Sequence, residues 1–313
     1  MKWKVLVSAP YMQPVLDRFR NELEVRGVEM VVPPVQERLE EEVLLTLMSD
    51  IDGVICGDDR FTRKVIEASP KLKVLSKWGT GIDSLDVVAC KNHDVAIRRT
   101  RDAFSVPVAE SVLGYILCFT RQLPFMDRAM RQKNWKKTPG RALEECTLGV
   151  IGVGDVGKTV VGRAVALGMP VLGHDIVKMP EAFLKETGVA MASKEEVLRR
   201  ADFVSLHTDL NPTSHHLMSD NEFELMKQSA VIINTCRGPV VDERALVKAL
   251  QSCKIAGAAL DVFEREPLPA DSPLLDMDNV LLAPHNANSS AIYWERVHRK
   301  TIENLMTVLE NSL

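Results

Sequence analysis

Short apolar runs of strand length alternate with longer stretches of helical periodicity from the first residues onward. In the first hundred positions the runs fall at 4–8, 28–32, 53–56, 73–76 and 95–97, and helix-like stretches at 14–26, 37–48, 62–68 and 84–92. Alternation at this spacing predicts parallel strands joined by right-handed helical crossovers. An apolar helix is predicted over 103–122, with Ser105 placed to cap it and Pro107 in its first turn. Residues 124–146 are mixed and basic and read as a solvated excursion. A second alternating series follows, with strands at 147–151, 171–174, 203–207, 231–235, 256–262 and 280–283. Its helices are expected at 158–167, 181–187, 194–200, 220–226 and 242–252. The tail, 289–313, carries Ile302, Leu305, Met306 and Leu309 at helical spacing, which predicts a helix that returns to cover the first domain.

The segment 147–175 changes this picture from architecture to chemistry. A strand-length run leads into Gly152, Gly154 and Gly157 as G-x-G-x-x-G; a helix and a second strand follow, and the strand ends in Asp175. The three glycines serve a tight turn, a close approach of pyrophosphate to backbone, and close helix–strand packing. The helix start offers N–H groups and the positive end of its dipole to phosphates. Asp175 lies 23 residues after Gly152 (175 − 152), where a carboxylate grips the ribose 2′-OH and repels a 2′-phosphate. The predicted cofactor is therefore NAD, held by Gly152, Gly154, Gly157 and Asp175.

Composition narrows the class. At 313 residues, with 46% hydrophobic and 26% charged residues, the chain is long enough for two cores and has an ordinary globular balance. A net charge of −4 without a basic block gives no footprint for nucleic acid or for a membrane surface. No apolar run approaches the roughly 18–20 residues of a membrane span. The N-terminal run stops at Pro10 and reads as a first strand rather than a signal peptide. Six scattered cysteines without a C-x-x-C read as reduced thiols of a cytoplasmic protein. His215 and His216 sit in a polar loop without an acid or cysteine at ligand spacing, so no metal is expected.

In open α/β sheets ligands sit beyond the carboxyl ends of the strands. Four such ends carry distinctive polar groups: His207-Thr208, Cys236-Arg237-Gly238, Asp261 with Glu266, and His285. The stretch 231–246 around Arg237 resembles the arginine motif of the D-isomer-specific 2-hydroxyacid dehydrogenases. The run 259–267 is similar to their glutamate motif, and 279–285 to their histidine motif. Gly79-Thr80-Gly81-Ile82-Asp83 resembles their substrate loop.

The resemblance implies two doubly wound parallel-sheet α/β domains with a cleft between them. A smaller flavodoxin-like substrate-binding domain would take 1–100 and 286–313, and a Rossmann NAD-binding domain 101–285. It also implies hydride transfer between NAD and a 2-hydroxy acid. Arg237 would bind carboxylate and carbonyl, His285 would act as general acid and base, and Glu266 would orient the imidazole and favour its protonated form. Backbone N–H groups of Thr80 and Gly81 would hold the substrate carboxylate. Asp155 and Val156 would lie over the pyrophosphate and Thr208, Cys236 and Asp261 along the nicotinamide half, with His207 a further cofactor-binding residue, and a homodimer would be the assembly. Two departures stand out. Asp209 replaces the proline common two residues after the strand-end histidine, and Asn286 and Asn288 follow His285 in place of apolar residues. Glu266 argues against a formate dehydrogenase.

For the substrate, Lys77 sits where 3-phosphoglycerate dehydrogenases place a basic residue. Arg60, Arg98, Arg99 and Arg101 add positive charge, so a phosphorylated or otherwise anionic substrate is expected, with 3-phosphoglycerate favoured. Glyoxylate, hydroxypyruvate and D-lactate are the alternatives within the enzyme class. An NAD-sensing protein like the C-terminal-binding corepressors is the alternative outside it; a chain read as beginning and ending with the fold weighs against that alternative.

Overall fold

A computed structural model of the chain describes residues 2–312 and divides it into two compact units, 1–103 with 290–313, and 104–289. In the first unit β1 (Trp3–Val7), α1 (Asp17–Val25), β2 (Val28–Val31), α2 (Glu41–Leu47), β3 (Gly53–Cys56), α3 (Arg63–Glu67), β4 (Val74–Lys77), α4 (Val87–Asn92) and β5 (Ala96–Arg99) alternate as predicted. The five strands are parallel in the order β2-β1-β3-β4-β5, the flavodoxin-like arrangement. Every residue of β3 and β4 is buried, which is why these strands read as unbroken apolar runs. Thr62 and Asp86 cap α3 and α4 by accepting the N–H of Val65 and Ala89.

The second unit runs α5 (Ser105–Thr120), α6 (Leu123–Arg131), β6 (Leu148–Ile151), α7 (Asp155–Ala166), β7 (Val171–His174), α8 (Glu181–Thr187), β8 (Ala190–Met191), α9 (Lys194–Arg200), β9 (Phe203–Leu206), α10 (Asp220–Leu225), β10 (Val231–Asn234), α11 (Glu243–Gln251), β11 (Gly257–Leu260) and β12 (Val280–Leu282). Its seven parallel strands lie in the order β12-β11-β10-β9-β6-β7-β8. The order reverses between β6 and β9, the switch point at which doubly wound sheets bind dinucleotides. Two apolar cores cover the two faces of this sheet. The last helix, α12 (Ala291–Asn311), belongs to the first unit and packs on β3, β4 and β5. A Cβ on Gly53 would come 2.9 Å from Leu305 Cδ1, so the glycine lets helix and strand approach.

Three local expectations change. Ser105 does not cap α5: Phe104 occupies the cap position without a side-chain bond, and Ser105 is buried inside the helix. The excursion at 124–146 contains α6, whose moderately apolar stripe is masked in sequence by its arginines. The two-residue edge strand β8 is too short to give a pattern. Residue 313, the end of the predicted tail helix, lies outside the described residues, as does residue 1.

Candidate active site

Gly152 adopts φ +90°, and a Cβ there would lie 2.6 Å from the carbonyl oxygen of His207. At Gly157 a Cβ would overlap the Gly152 carbonyl, so α7 can start only against a bare backbone. Gly154 is different, since a Cβ would meet nothing within 4 Å. Its missing side chain therefore leaves an open cradle at the N-terminus of α7, where no side chain caps the helix. That cradle fits a pyrophosphate, with Asp155 and Val156 in the first turn. Asp175 ties the turn together: Oδ2 accepts the Val153 N–H at 2.6 Å and Oδ1 the Val177 N–H at 2.8 Å. This clamp was not foreseen from the sequence, because only the ribose role was assigned to that carboxylate.

The polar strand ends of β9, β10, β11 and β12 come together through their loops. Asn234, at the end of β10, is 1% exposed. It donates to the Arg237 carbonyl at 2.9 Å and accepts the Cys236 N–H at 3.1 Å, which shapes the turn carrying Arg237. Gly238 presses on the 263–264 backbone so closely that a Cβ would overlap the Phe263 carbonyl. The arginine loop thus lies directly on the glutamate loop. Glu266 Oε1 accepts the Phe263 N–H at 2.9 Å, and its Oε2 meets His285 Nδ1 at 2.8 Å. Both groups are half-buried, with 22% and 24% of their side chains exposed.

Asp261, 1% exposed, accepts the N–H groups of Asn286 at 2.7 Å and Ala287 at 2.8 Å, and its carbonyl accepts the His285 N–H at 2.8 Å. Burial pushes its carboxyl upward, and the two backbone donors oppose that shift. His285 itself takes φ +51°, a left-handed conformation uncommon for a side-chain residue. The Asp261 carboxylate pins the backbone on the far side of that bend. Neither Asn234 nor this part of Asp261 was assigned a scaffold role from the sequence, since both depend on loops that meet only in the fold.

His207 follows β9, with Nε2 2.8 Å from Ser205 Oγ, and burial depresses its imidazole to about 3, so it is neutral. Burial raises the Cys236 thiol, whose Sγ lies 3.1 Å from Asn234 Oδ1. Thr208 is half-buried beside His207.

In the first unit, Gly79-Thr80-Gly81 leaves the end of β4 with Gly79 at φ +128°. The carbonyl of Gly79 accepts the Thr100 N–H at 2.9 Å, and Thr80 Oγ1 donates to the Thr100 carbonyl at 2.9 Å. Among the described residues the N–H groups of Thr80 and Gly81 have no acceptor. Lys77 departs from expectation. It is 3% exposed, and Nζ donates to the Gly57 carbonyl and to Asp58 Oδ1, both at 2.6 Å. Its charge is paired with Asp58 inside the unit. Arg60 lies 3.9 Å from Glu40, and Arg99 donates to the Thr80 carbonyl at 3.3 Å. Arg98 donates to the Ile97 carbonyl at 3.3 Å, and Arg101 is exposed.

His216 also departs from expectation. The fold brings Asp242 and Glu264 to it, with one ligand atom from each of the three within 4.8 Å. Its Nε2 is already 2.7 Å from Glu264 Oε1, so the pair reads as a pin between two loops.

A Rossmann turn with an open cradle at the switch point of a doubly wound parallel sheet, and an imidazole–carboxylate pair at neighbouring strand ends, define a dinucleotide-binding fold. Comparison with known proteins then gives the family. Residues 113–287 match the model of the D-isomer specific 2-hydroxyacid dehydrogenase, NAD binding domain. D-3-phosphoglycerate dehydrogenase of Methanocaldococcus jannaschii is 37% identical over 99% of this chain, which spans 58% of that protein's length. Glyoxylate reductase of Korarchaeum cryptofilum is 33% identical over 98% of this chain and 92% of its own. Among solved structures, D-lactate dehydrogenase from Aquifex aeolicus, complexed with NAD and lactic acid, superposes with a TM-score of 0.89 at 27% identity. It covers 98% of this chain and 96% of its own. The chain belongs to the D-isomer-specific 2-hydroxyacid dehydrogenase family, and its second unit contains the NAD-binding domain.

Proposed function

We propose that this chain interconverts a D-2-hydroxy acid and its 2-keto acid, with Arg237, Glu266 and His285 as the reacting centre. The observation that carries the reading is the 2.8 Å Glu266–His285 pair, with Glu266's second oxygen already fixed to backbone. NAD, when bound, supplies or accepts the hydride. Gly152, Gly154, Asp155, Val156 and Gly157 hold its pyrophosphate and Asp175 its ribose, while Thr208, Cys236 and Asp261 border the nicotinamide half. The Arg237 guanidinium opposes charge that develops on the substrate oxygen. His285 delivers the proton to that oxygen in reduction and takes it in oxidation. Because Glu266 occupies Nδ1, the exchanging nitrogen is Nε2. Thr80 and Gly81 offer unspent N–H groups to the substrate carboxylate.

With Lys77 neutralised by Asp58, we favour a small keto acid of the glyoxylate or hydroxypyruvate type. The phosphorylated alternative draws on the similarity to a 3-phosphoglycerate dehydrogenase and on Arg60, Arg99 and Arg101. NADH oxidation with glyoxylate, hydroxypyruvate, pyruvate and 3-phosphohydroxypyruvate tests the reading. Turnover of a small keto acid is expected, best turnover of the phosphorylated one would reverse the substrate choice, and turnover of none would favour an NAD-sensing role.

We further propose a homodimer in the cytoplasm. Leu123, Met130 and Trp135 are 52%, 48% and 82% exposed on and just beyond α6, an apolar surface suited to a second copy. All six cysteines are free, in keeping with a reducing compartment. No helix among the described residues is long and apolar enough to cross a membrane. Light scattering, with Trp135→Glu as the disrupting variant, tests the dimer.

A further inference from the structure

We infer that His298, on the C-terminal helix, is a positioning residue for the 79–81 loop, acting through the indole of Trp78. The inference rests on the substrate role proposed for that loop. Trp78 is 5% exposed and His298 3%, and Trp78 Nε1 lies 2.9 Å from His298 Nδ1. An indole nitrogen can only donate, so Nδ1 must carry the lone pair and the ring must be the neutral Nε2–H tautomer. This bond joins positions 220 residues apart and is, among the described residues, one of two buried hydrogen bonds between α12 and the chain entering the loop. The other runs from Ser76 Oγ to the Thr301 carbonyl at 2.7 Å.

What the bond fixes is the residue immediately before Gly79. At φ +128° Gly79 has no side chain to limit its swing, so the direction in which the loop leaves the sheet depends on its neighbours. One neighbour, Thr100, holds the loop from β5. The other is Trp78, whose ring packs against Tyr11 at 5.3 Å and Trp294 at 5.7 Å in a three-ring cluster. Its N–H and its ring are therefore anchored in the first unit's interior while its backbone feeds the loop. Loss of the acceptor would leave a buried donor unsatisfied, enough to bias the ring toward other positions.

The charged groups facing His298 are Glu295 on its own helix and Arg18 on α1; Phe19 adds its ring from α1. Burial and Arg18 favour the neutral imidazole, and Glu295, itself held by Arg18 at 2.6 Å, opposes them. As pH falls, protonation of Nδ1 removes the acceptor, so the loop loosens on the acid side of the ordinary imidazole range.

The test compares His298→Leu, which removes the acceptor, with His298→Asn, whose Oδ1 can accept from Trp78 but does not titrate. Trp78→Phe keeps a ring and deletes the donor. His298→Leu and Trp78→Phe should raise KM for the keto acid about tenfold, the factor for roughly 1.4 kcal/mol, with kcat and the KM for NADH nearly unchanged. His298→Asn should restore KM at neutral pH and abolish the acid-side rise in KM. Hydrogen exchange over 77–83 should quicken in the Leu variant and return to the wild-type rate in the Asn variant. Unchanged KM and unchanged exchange in the Leu and Phe variants would overturn the inference. If the wild type reduces no keto acid, the proposed function fails by itself and the exchange rates alone decide this one. If the Leu variant does not fold, Trp78→Phe and His298→Asn decide it.

Discussion

His285 Nδ1 and Glu266 Oε2 meet at 2.8 Å, and the other oxygen of the same carboxylate receives the Phe263 N–H at 2.9 Å. Glu266 thus has one oxygen for the scaffold and one for the imidazole. A glutamine cannot serve both, because its NH2 must face either the Phe263 N–H or the ring N–H. Glu266→Gln should lower kcat/KM for keto-acid reduction by about 10- to 100-fold while leaving NADH affinity in place. Steady-state kinetics with a fluorescence titration of NADH checks both halves.

Asp261 grips the chain just past His285 through two backbone donors. In Asp261→Asn one of those N–H groups faces an amide NH2, at a cost of about 1–3 kcal/mol. The expected outcome is a lower melting temperature together with a larger loss of kcat than the modest loss of stability explains. Circular dichroism and kcat, measured on the same preparation, separate the two effects.

The glycines of the cofactor turn should divide by what their Cβ atoms would meet. Gly154→Ala should fold with a nearly unchanged melting temperature yet bind NADH at least about tenfold more weakly, because the methyl fills the cradle. Gly157→Ala should fail to fold or melt far lower, because its methyl runs into the Gly152 carbonyl. Calorimetry with and without NADH distinguishes them.

Asp175 joins cofactor choice to turn geometry. Removal of its carboxylate in Asp175→Ala releases the Val153 and Val177 N–H groups as well as the ribose contact. NADH affinity should fall, and the preference for NADH over NADPH should shrink by about tenfold or more. Comparison of kcat/KM for the two cofactors measures it.

His207 makes a prediction about pH. Its imidazole is depressed to about 3 by burial, whereas an unfolded chain titrates near 6.5. Between those values the unfolded state binds a proton that the folded state refuses. Stability therefore declines as pH falls through that window, with a slope of up to about one proton from this residue. Urea denaturation from neutral pH down to about pH 4 should show a shallower decline for His207→Gln.

Much of this was legible in the sequence, for a physical reason. Parallel strands covered on both faces, such as β6, β9 and β10, are runs of buried residues, and such runs stand out. Arg237 stands just beyond such a run, whereas the roles given to Glu266 and His285 came from the resemblance to the family's motifs, because β12 before His285 is only partly buried. What could not be read were the partners. Asp261 and Asn234 act on loops that meet only once the sheet has formed. The neutralisation of Lys77 by Asp58 and the Trp78–His298 bond join positions 19 and 220 residues apart. Helix α6 was hidden because a surface stripe flanked by arginines has the same composition as a solvated loop.

The central assignment is tested most directly by single-turnover reduction of the best keto acid by prebound NADH, in the wild type, Arg237→Ala and His285→Ala. Each variant should bind NADH as the wild type does, and each should lose at least about 100-fold in the rate of NADH oxidation. A near-wild-type rate in either variant, with cofactor bound, would contradict the account.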